Sequence, residues 1–179
     1  MKKTLCAILA VTAIGLTLVS CGKNAEEGSM PVESKTCDFA FDCPESWLVT
    51  FTDGMLSVTN PEDISKANVT ASSFYHNLDA EPSAMEYWET YEKQLSQTYP
   101  GTVFKETKPL TLGGRETAHT AYTVTIGDEV FECETVLIIY GGKAYTLTLT
   151  QGAKNDANAE SYNDHSDEFD KIVKTFRIK

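Results

Sequence analysis

From Thr36 onward, apolar and polar residues alternate in short runs, the period-two pattern of half-buried strands. Cys37, Phe39, Phe41 and Cys43 alternate with Asp38, Ala40 and Asp42, and Pro44 stops the run. Extended chain resumes over residues 47–51. Asp53-Gly54 signals a turn, and residues 55–59 form the next arm. Residues 69–76, rich in Thr, Ser, Phe and Tyr, suit another strand.

The period then changes. Ser83 with Glu86 three places later makes a capping box, and Ala84, Trp88, Tyr91 and Leu95 follow as one stripe of a 3.6-residue repeat. Tyr87 lies beside that stripe and is expected to be exposed. Tyr99-Pro100-Gly101 ends the helix, because proline has no N–H to donate and restricts the residue before it. Strands are predicted over residues 103–108, 116–126, 130–140 and 144–151. The turns between them are Gly113-Gly114, Gly127-Asp128 and Gly141-Gly142. A second helix is predicted from about residue 159 to 174, its apolar side formed by Phe169, Ile172 and Val173 and continued by Phe176. These elements give an α/β (α+β) class: an α/β/α sandwich with a central antiparallel sheet of about six strands flanked by helices.

The first 35 residues follow neither period. Lys2 and Lys3 precede an apolar run over residues 5–19. That run holds about 15 residues, while a membrane-spanning helix takes about 20, so it reads as a secretory leader. Leu18-Val19-Ser20-Cys21 resembles the lipobox of bacterial lipoproteins. The resemblance implies cleavage before Cys21, with diacylglycerol joined to its thiol and a further acyl chain, such as palmitate, on its amino group. Two chains hold a protein at a bilayer where a single chain binds reversibly. The expected division is a signal peptide over 1–20, a polar flexible tether over 21–35 and one globular domain over 36–179. The expected location is the cell membrane, with the domain lipid-anchored through Cys21 and facing the extracytoplasmic side.

Charge sharpens this picture. The chain carries a formal net charge of −11, and cleaving away Lys2 and Lys3 makes it more negative. An acidic surface of this kind argues against nucleic acid, whose phosphates are held by Lys and Arg. It also leaves acyl chains rather than headgroup attraction to hold the protein at a membrane. Of five cysteines, Cys37, Cys43 and Cys133 fall in the globular part. Cys37 and Cys43 would sit about 20 Å apart along one strand, far beyond disulfide reach, so either could pair only with Cys133. The alternative is that all three are small buried apolar side chains.

Candidate chemistry is sparse. The histidines are His76, His119 and His165. His76 and His119 fall in separate strands, at a surface or strand edge. His165 falls in the second helix beside Asp164, Asp167 and Glu168, on a solvated face that could bind a divalent cation weakly. The run Asn155, Asp156, Asn158, Glu160 and Asp164 offers oxygen ligands, but it lacks the fixed 12-residue loop of an EF-hand. No serine stands in a G-x-S-x-G elbow, and HExxH, Walker A and GxGxxG are absent from the sequence. No cofactor is implied. A hydrolase acting on the cell envelope is the alternative reading. It needs a solvent-open cleft holding His76 or His119 beside a carboxylate and a hydroxyl or thiol.

Phe41-Asp42-Cys43-Pro44-Glu45-Ser46-Trp47 resembles the opening motif of PsbP-like and Mog1-like domains. The helix bearing Tyr87, Trp88 and Leu95 matches their first long helix. Leu112-Gly113-Gly114-Arg115-Glu116-Thr117-Ala118 matches the entry to their central meander, and Tyr122 suits their recurring tyrosine. Residues 145–149 and 169–176 match their last hairpin strand and closing helix. The resemblance covers residues 36–179. It implies an antiparallel sheet between helices, adaptor, assembly or lipoprotein roles, and no shared catalytic machinery. An anchored, acidic single domain without a catalytic signature is expected to bind an envelope protein as partner.

Overall fold

The computed structural model describes residues 28–63, 66–155, 159–160 and 162–179. The leader, Cys21 and the first part of the tether lie outside the described residues.

Strand β1 (Ser29–Glu33) opens the fold, followed by β2 (Phe39–Pro44), β3 (Leu48–Thr52), β4 (Met55–Thr59) and β5 (Asn68–Tyr75). Helix α1 (Ala84–Thr98) follows. Then come β6 (Val103–Phe104), β7 (Lys108–Leu112), β8 (Arg115–Ile126), β9 (Glu129–Tyr140) and β10 (Lys143–Gly152). Helix α2 (Ser166–Thr175) and β11 (Arg177–Ile178) close the chain. The large sheet has eight strands in the order β3-β4-β5-β10-β9-β8-β6, with β7 also paired to β8. A small sheet joins β1, β2 and β11. Every pairing is antiparallel.

The central strands are buried on both faces, and period two sorts their side chains between two cores. Val136 and Ile138 of β9 with Tyr145, Leu147 and Leu149 of β10 face α2 and the small sheet. There they meet Phe39, Phe41, Trp47, Phe169 and Ile172. Leu137, Ile139 and Ala144 face the other way, with Ala118, Tyr122 and Val124 of β8, against Trp88, Tyr91 and Leu95 of α1. Helices on opposite faces make the α/β/α sandwich that the patterning predicts.

Four details differ from the sequence reading. Among the described residues the large sheet has eight strands rather than about six, and one of the additional strands arises where the stretch expected as one strand over 103–108 divides between β6 and β7. Both halves pair with β8, and at the break the Thr120 hydroxyl donates to Thr107 at 2.7 Å. Residues 29–33, expected in the tether, form β1 against β2, with Val32 buried in the core. Helix α2 begins at Ser166 rather than near 159. Its N-cap is His165, and Asp164 Oδ1, one residue earlier, accepts the Ser166 N–H at 3.0 Å. Tyr87 is buried rather than exposed, its ring 6.5 Å from Phe74 and 6.2 Å from His76.

The α1 cap is the one read from the sequence: Ser83 Oγ accepts the Glu86 N–H, and the Glu86 carboxylate accepts the Ser83 N–H. Cys37, Cys43 and Cys133 are free and buried. Cys37 and Cys43 belong to the α2-side core and Cys133 to the α1-side core, so the sheet stands between the proposed disulfide partners. Burial pushes the Cys43 thiol up to about 12 and the Cys133 thiol to about 11.

Phe39 has no solvent exposure, and its ring lies 5.6 Å from Phe176 and 6.3 Å from Tyr145. We expect Phe39→Ala to cost about 3–5 kcal/mol. We expect Val130→Ala, at an exposed position of β9, to cost no more than about 0.5 kcal/mol. Urea denaturation of the two variants checks both.

Candidate functional site

Two features of the fold bring chemically capable side chains together. The first lies on the α2 side of the large sheet, where the chain enters α2. Period two turns His119 of β8, Glu132 and Glu134 of β9 and Gln151 of β10 toward the same face. Gln151 stands opposite Glu132 in the register. His119 lies diagonal to Glu134, so its Nε2 reaches Glu134 Oε2 at 3.1 Å.

Segment 162–166 closes over this row. Ser166 Oγ donates to Glu134 Oε1 at 2.6 Å and also lies 2.8 Å from Asp164 Oδ1. Gln151 Nε2 donates to Asp164 Oδ1 at 3.1 Å and to the Tyr162 hydroxyl at 3.2 Å. Tyr162 in turn donates to Glu132 Oε2 at 2.7 Å. The His119 imidazole foremost, then the Ser166 hydroxyl, outweigh burial and hold the Glu134 carboxyl below the usual carboxylate range. Burial raises the Asp164 carboxyl, but hydrogen bonds from Gln151 and Ser166 more than offset it and leave it low. Burial and the bond to Glu132 push the Tyr162 hydroxyl well up.

His119 thus stands beside a carboxylate and close to a hydroxyl, the set of groups a hydrolase would need. Their order is inverted, however. In a nucleophilic triad the imidazole touches the hydroxyl and the acid lies behind it. Here Glu134 lies between Ser166 and His119, one oxygen to each. The hydroxyl faces two carboxylates of lowered basicity, and the network ties α2 to the sheet.

His165 is not on a solvated helical face. It is the N-cap residue of α2, only 2% exposed. Its N–H donates to Gln151 Oε1 at 3.1 Å, and its Nε2 lies 3.2 Å from Asp63 Oδ2. Trp47 meets the ring edge-on at 5.7 Å. This histidine joins the β4–β5 loop to α2, and Glu168 approaches its Nδ1 only to 3.6 Å. Among the described residues no three His, Cys, Asp or Glu side chains gather as metal ligands. Asp156 and Asn158, part of the oxygen-rich run, lie outside the described residues. His76 is half-buried beside Tyr87, with Nδ1 accepting the Leu78 N–H at 3.1 Å. No carboxylate accompanies it among the described residues.

The second feature is a row of alternating aromatics and cations across one end of the large sheet. Lys143 stands opposite Tyr75 on one side and Tyr140 on the other. Its Nζ lies 5.0 Å from the Tyr75 ring centre, and the Arg115 guanidinium lies 4.1 Å over Tyr140. Lys143 also donates to Asp38 Oδ2 at 2.6 Å, while Ser73 and Tyr145 donate to the same carboxylate. Burial raises the Asp38 carboxyl, and those three bonds overcome it and lower it. Arg115 differs: among the described residues no carboxylate pairs with it. Tyr75 is 67% exposed and Tyr140 44%, and Leu78 and Leu110 are exposed as well. Arg115 and Tyr140 also line a shallow cleft of about 320 Å³ beside Ser83 and Glu116. The row is not readable from the sequence, because Tyr75, Arg115 and Lys143 become neighbours only through the register of four strands.

No family model matches the sequence, and none of the curated proteins matches it significantly. Solved structures do match the fold. The cyanobacterial PsbP of Synechocystis is 14% identical with a TM-score of 0.60, over 89% of this chain and 98% of that one. The Ran-binding protein Mog1p of Saccharomyces cerevisiae is 10% identical with a TM-score of 0.60, over 84% of this chain and 95% of that one. LpqN of Mycobacterium tuberculosis, described as involved in cell envelope biogenesis, is 15% identical with a TM-score of 0.54, over 84% and 90%. Against a Bacteroides thetaiotaomicron structure the chain spans about half, 48%, of the other chain. The architecture is therefore the PsbP/Mog1 fold.

Glu134 is ionised in the folded state at pH values where an unfolded glutamate begins to protonate. Its contribution to stability is present above the unfolded pKa of about 4.3 and is lost as pH falls through the lower folded value. We expect Glu134→Gln to be less stable at pH 7 and to lose stability less steeply between about pH 5 and 2. Urea midpoints measured across that range test this, and parallel curves for variant and wild type would contradict it.

Proposed function

We propose that the chain is a lipid-anchored extracytoplasmic domain that binds a protein partner at the cell envelope and performs no catalysis of its own. The observation that carries the binding reading is the Tyr75–Lys143–Tyr140–Arg115 row, whose two tyrosines are exposed and whose cations are half-buried beside them. Tyrosine and arginine are the residues on which binding energy concentrates at protein interfaces, because each offers a large rigid surface together with a polar end. The two tyrosines lie largely outside either core, and leaving them in water gains the fold little. Arg115 keeps its guanidinium positioned over Tyr140, and among the described residues no carboxylate pairs with it, which suits it to a carboxylate of the partner. Similarity of fold to a Ran-binding protein and to a protein of envelope biogenesis supports the same reading.

The anchoring half rests on Leu18-Val19-Ser20-Cys21 and on the apolar leader before it. Under this reading the mature chain begins at Cys21, and the acyl chains hold an acidic domain at a surface that its charge would otherwise avoid.

Each half has its own test. We expect Cys21→Ser to abolish labelled-palmitate incorporation and to release the protein from membranes. Palmitate incorporation into that variant would refute the anchor. For binding, the Arg115→Ala, Tyr140→Ala double variant should lose at least tenfold of the partner crosslinked by wild type in intact cells, about 1.4 kcal/mol of affinity. Undiminished crosslinking by a folded double variant would remove this surface from the proposal.

A further inference from the structure

We propose that the free edge of β3 pairs with β3 of a second copy of this chain, joining two large sheets across a twofold axis. Among the described residues β3 pairs only with β4, and its other edge carries no partner strand. An exposed edge offers a row of unpaired N–H and C=O groups, and proteins usually blunt it with charge, proline or shortness. The other edges here are blunted in those ways. β1 carries Pro31 and Glu33, β7 carries Lys108 and Pro109, and β6 and β11 are two residues long. β3 reads Leu48-Val49-Thr50-Phe51-Thr52, without charge, proline or glycine. Leu48 is 61% exposed.

The strand is also complementary to itself. Antiparallel pairing centred on Thr50 sets Thr50 against Thr50 of the copy and Leu48 against Thr52. On the opposite face it sets Val49 against Phe51, twice. Thr–Thr and aromatic–β-branched pairs are among the favourable cross-strand neighbours. Val49 and Phe51 already pack against the α2-side core, so the pairing would extend that core across the axis. Continuing the register places Asp53 against Trp47 and Glu45 against Met55, so no carboxylate faces a carboxylate. On a chain of net charge −11, β3 is an uncharged edge along which two copies can approach. A twofold contact of this kind is closed and stops at the dimer.

The test is site-directed crosslinking of the full chain in intact cells under mild oxidation. Directly opposed residues of an antiparallel pair have Cα atoms about 4.5–5.5 Å apart, within disulfide range. We expect Thr50→Cys to form at least ten times more disulfide-linked dimer than Lys93→Cys on the exposed side of α1. Leu48→Cys should link to co-expressed Thr52→Cys but not to itself, which reads the register. Thr50→Lys, which sets two ammonium groups against each other at the axis, should abolish dimer seen with a general lysine-to-lysine crosslinker. A Thr50→Cys yield no higher than that of Lys93→Cys would overturn the proposal. So would a disulfide to a different protein in place of the dimer. Neither readout depends on Arg115, Tyr140 or Cys21, so this pairing and the envelope-binding reading fail separately.

Discussion

The structure depends on one sheet having to be apolar on both faces at once. Residues 136–139 of β9 are all buried, and neighbouring side chains in the sequence enter different cores. A one-residue slip of β9 would exchange the two sets and place each in a core shaped for the other. The few polar residues in these strands are therefore tightly partnered. On the α1 side the Tyr122 hydroxyl lies 3.0 Å from Thr135, which lies 2.9 Å from Thr148. An unpaired hydroxyl there would bear the full cost of leaving water. Burial also pushes the Tyr122 hydroxyl well up, and it stays protonated as a donor for that chain.

The same constraint explains where polar chemistry can gather. The sheet is apolar through its middle, so charged side chains collect where a covering layer ends. On the α2 side one such margin is the His119–Glu134–Ser166 network at the entry to α2. Another is Asp38, where the small sheet stops and Lys143, Ser73 and Tyr145 converge. Beyond Asp38 nothing described covers the row that ends in Arg115. A clamp and an open surface thus share one face, distinguished by whether chain lies over them.

Much of this was legible locally. The capping box of α1, the alternation of β8 to β10 and the glycine turns between them are signals carried within a dozen residues, and the architecture follows from them. The failures have equally physical causes. β1 was hidden because Ser29-Met30-Pro31-Val32-Glu33 holds only two large apolar residues, and its pairing with β2 is what buries Val32. The start of α2 was misplaced because its N-cap, His165, makes no side-chain cap bond and follows a polar stretch that has no period. His165 looked solvated because its neighbours on the chain are acidic. Asp63 and Trp47, which enclose it, lie more than a hundred residues away. The Tyr–Arg row is invisible for the same reason, since a strand register is a property of pairs of segments.

Under the proposed anchoring at Cys21, the pairing of β1 bears on how the domain would be held. The first described strand begins at Ser29, ahead of the expected bound at residue 36, and seven peptide units join Cys21 to Gly28. Fully stretched they span about 25 Å. A leash that short is of the order of the domain's own radius. Acylated at Cys21, the molecule could not roam far above the lipid or roll freely over it. The rim of the sandwich near Gly28 would ride close to the headgroups, and only partners reaching down to that height would meet the remainder.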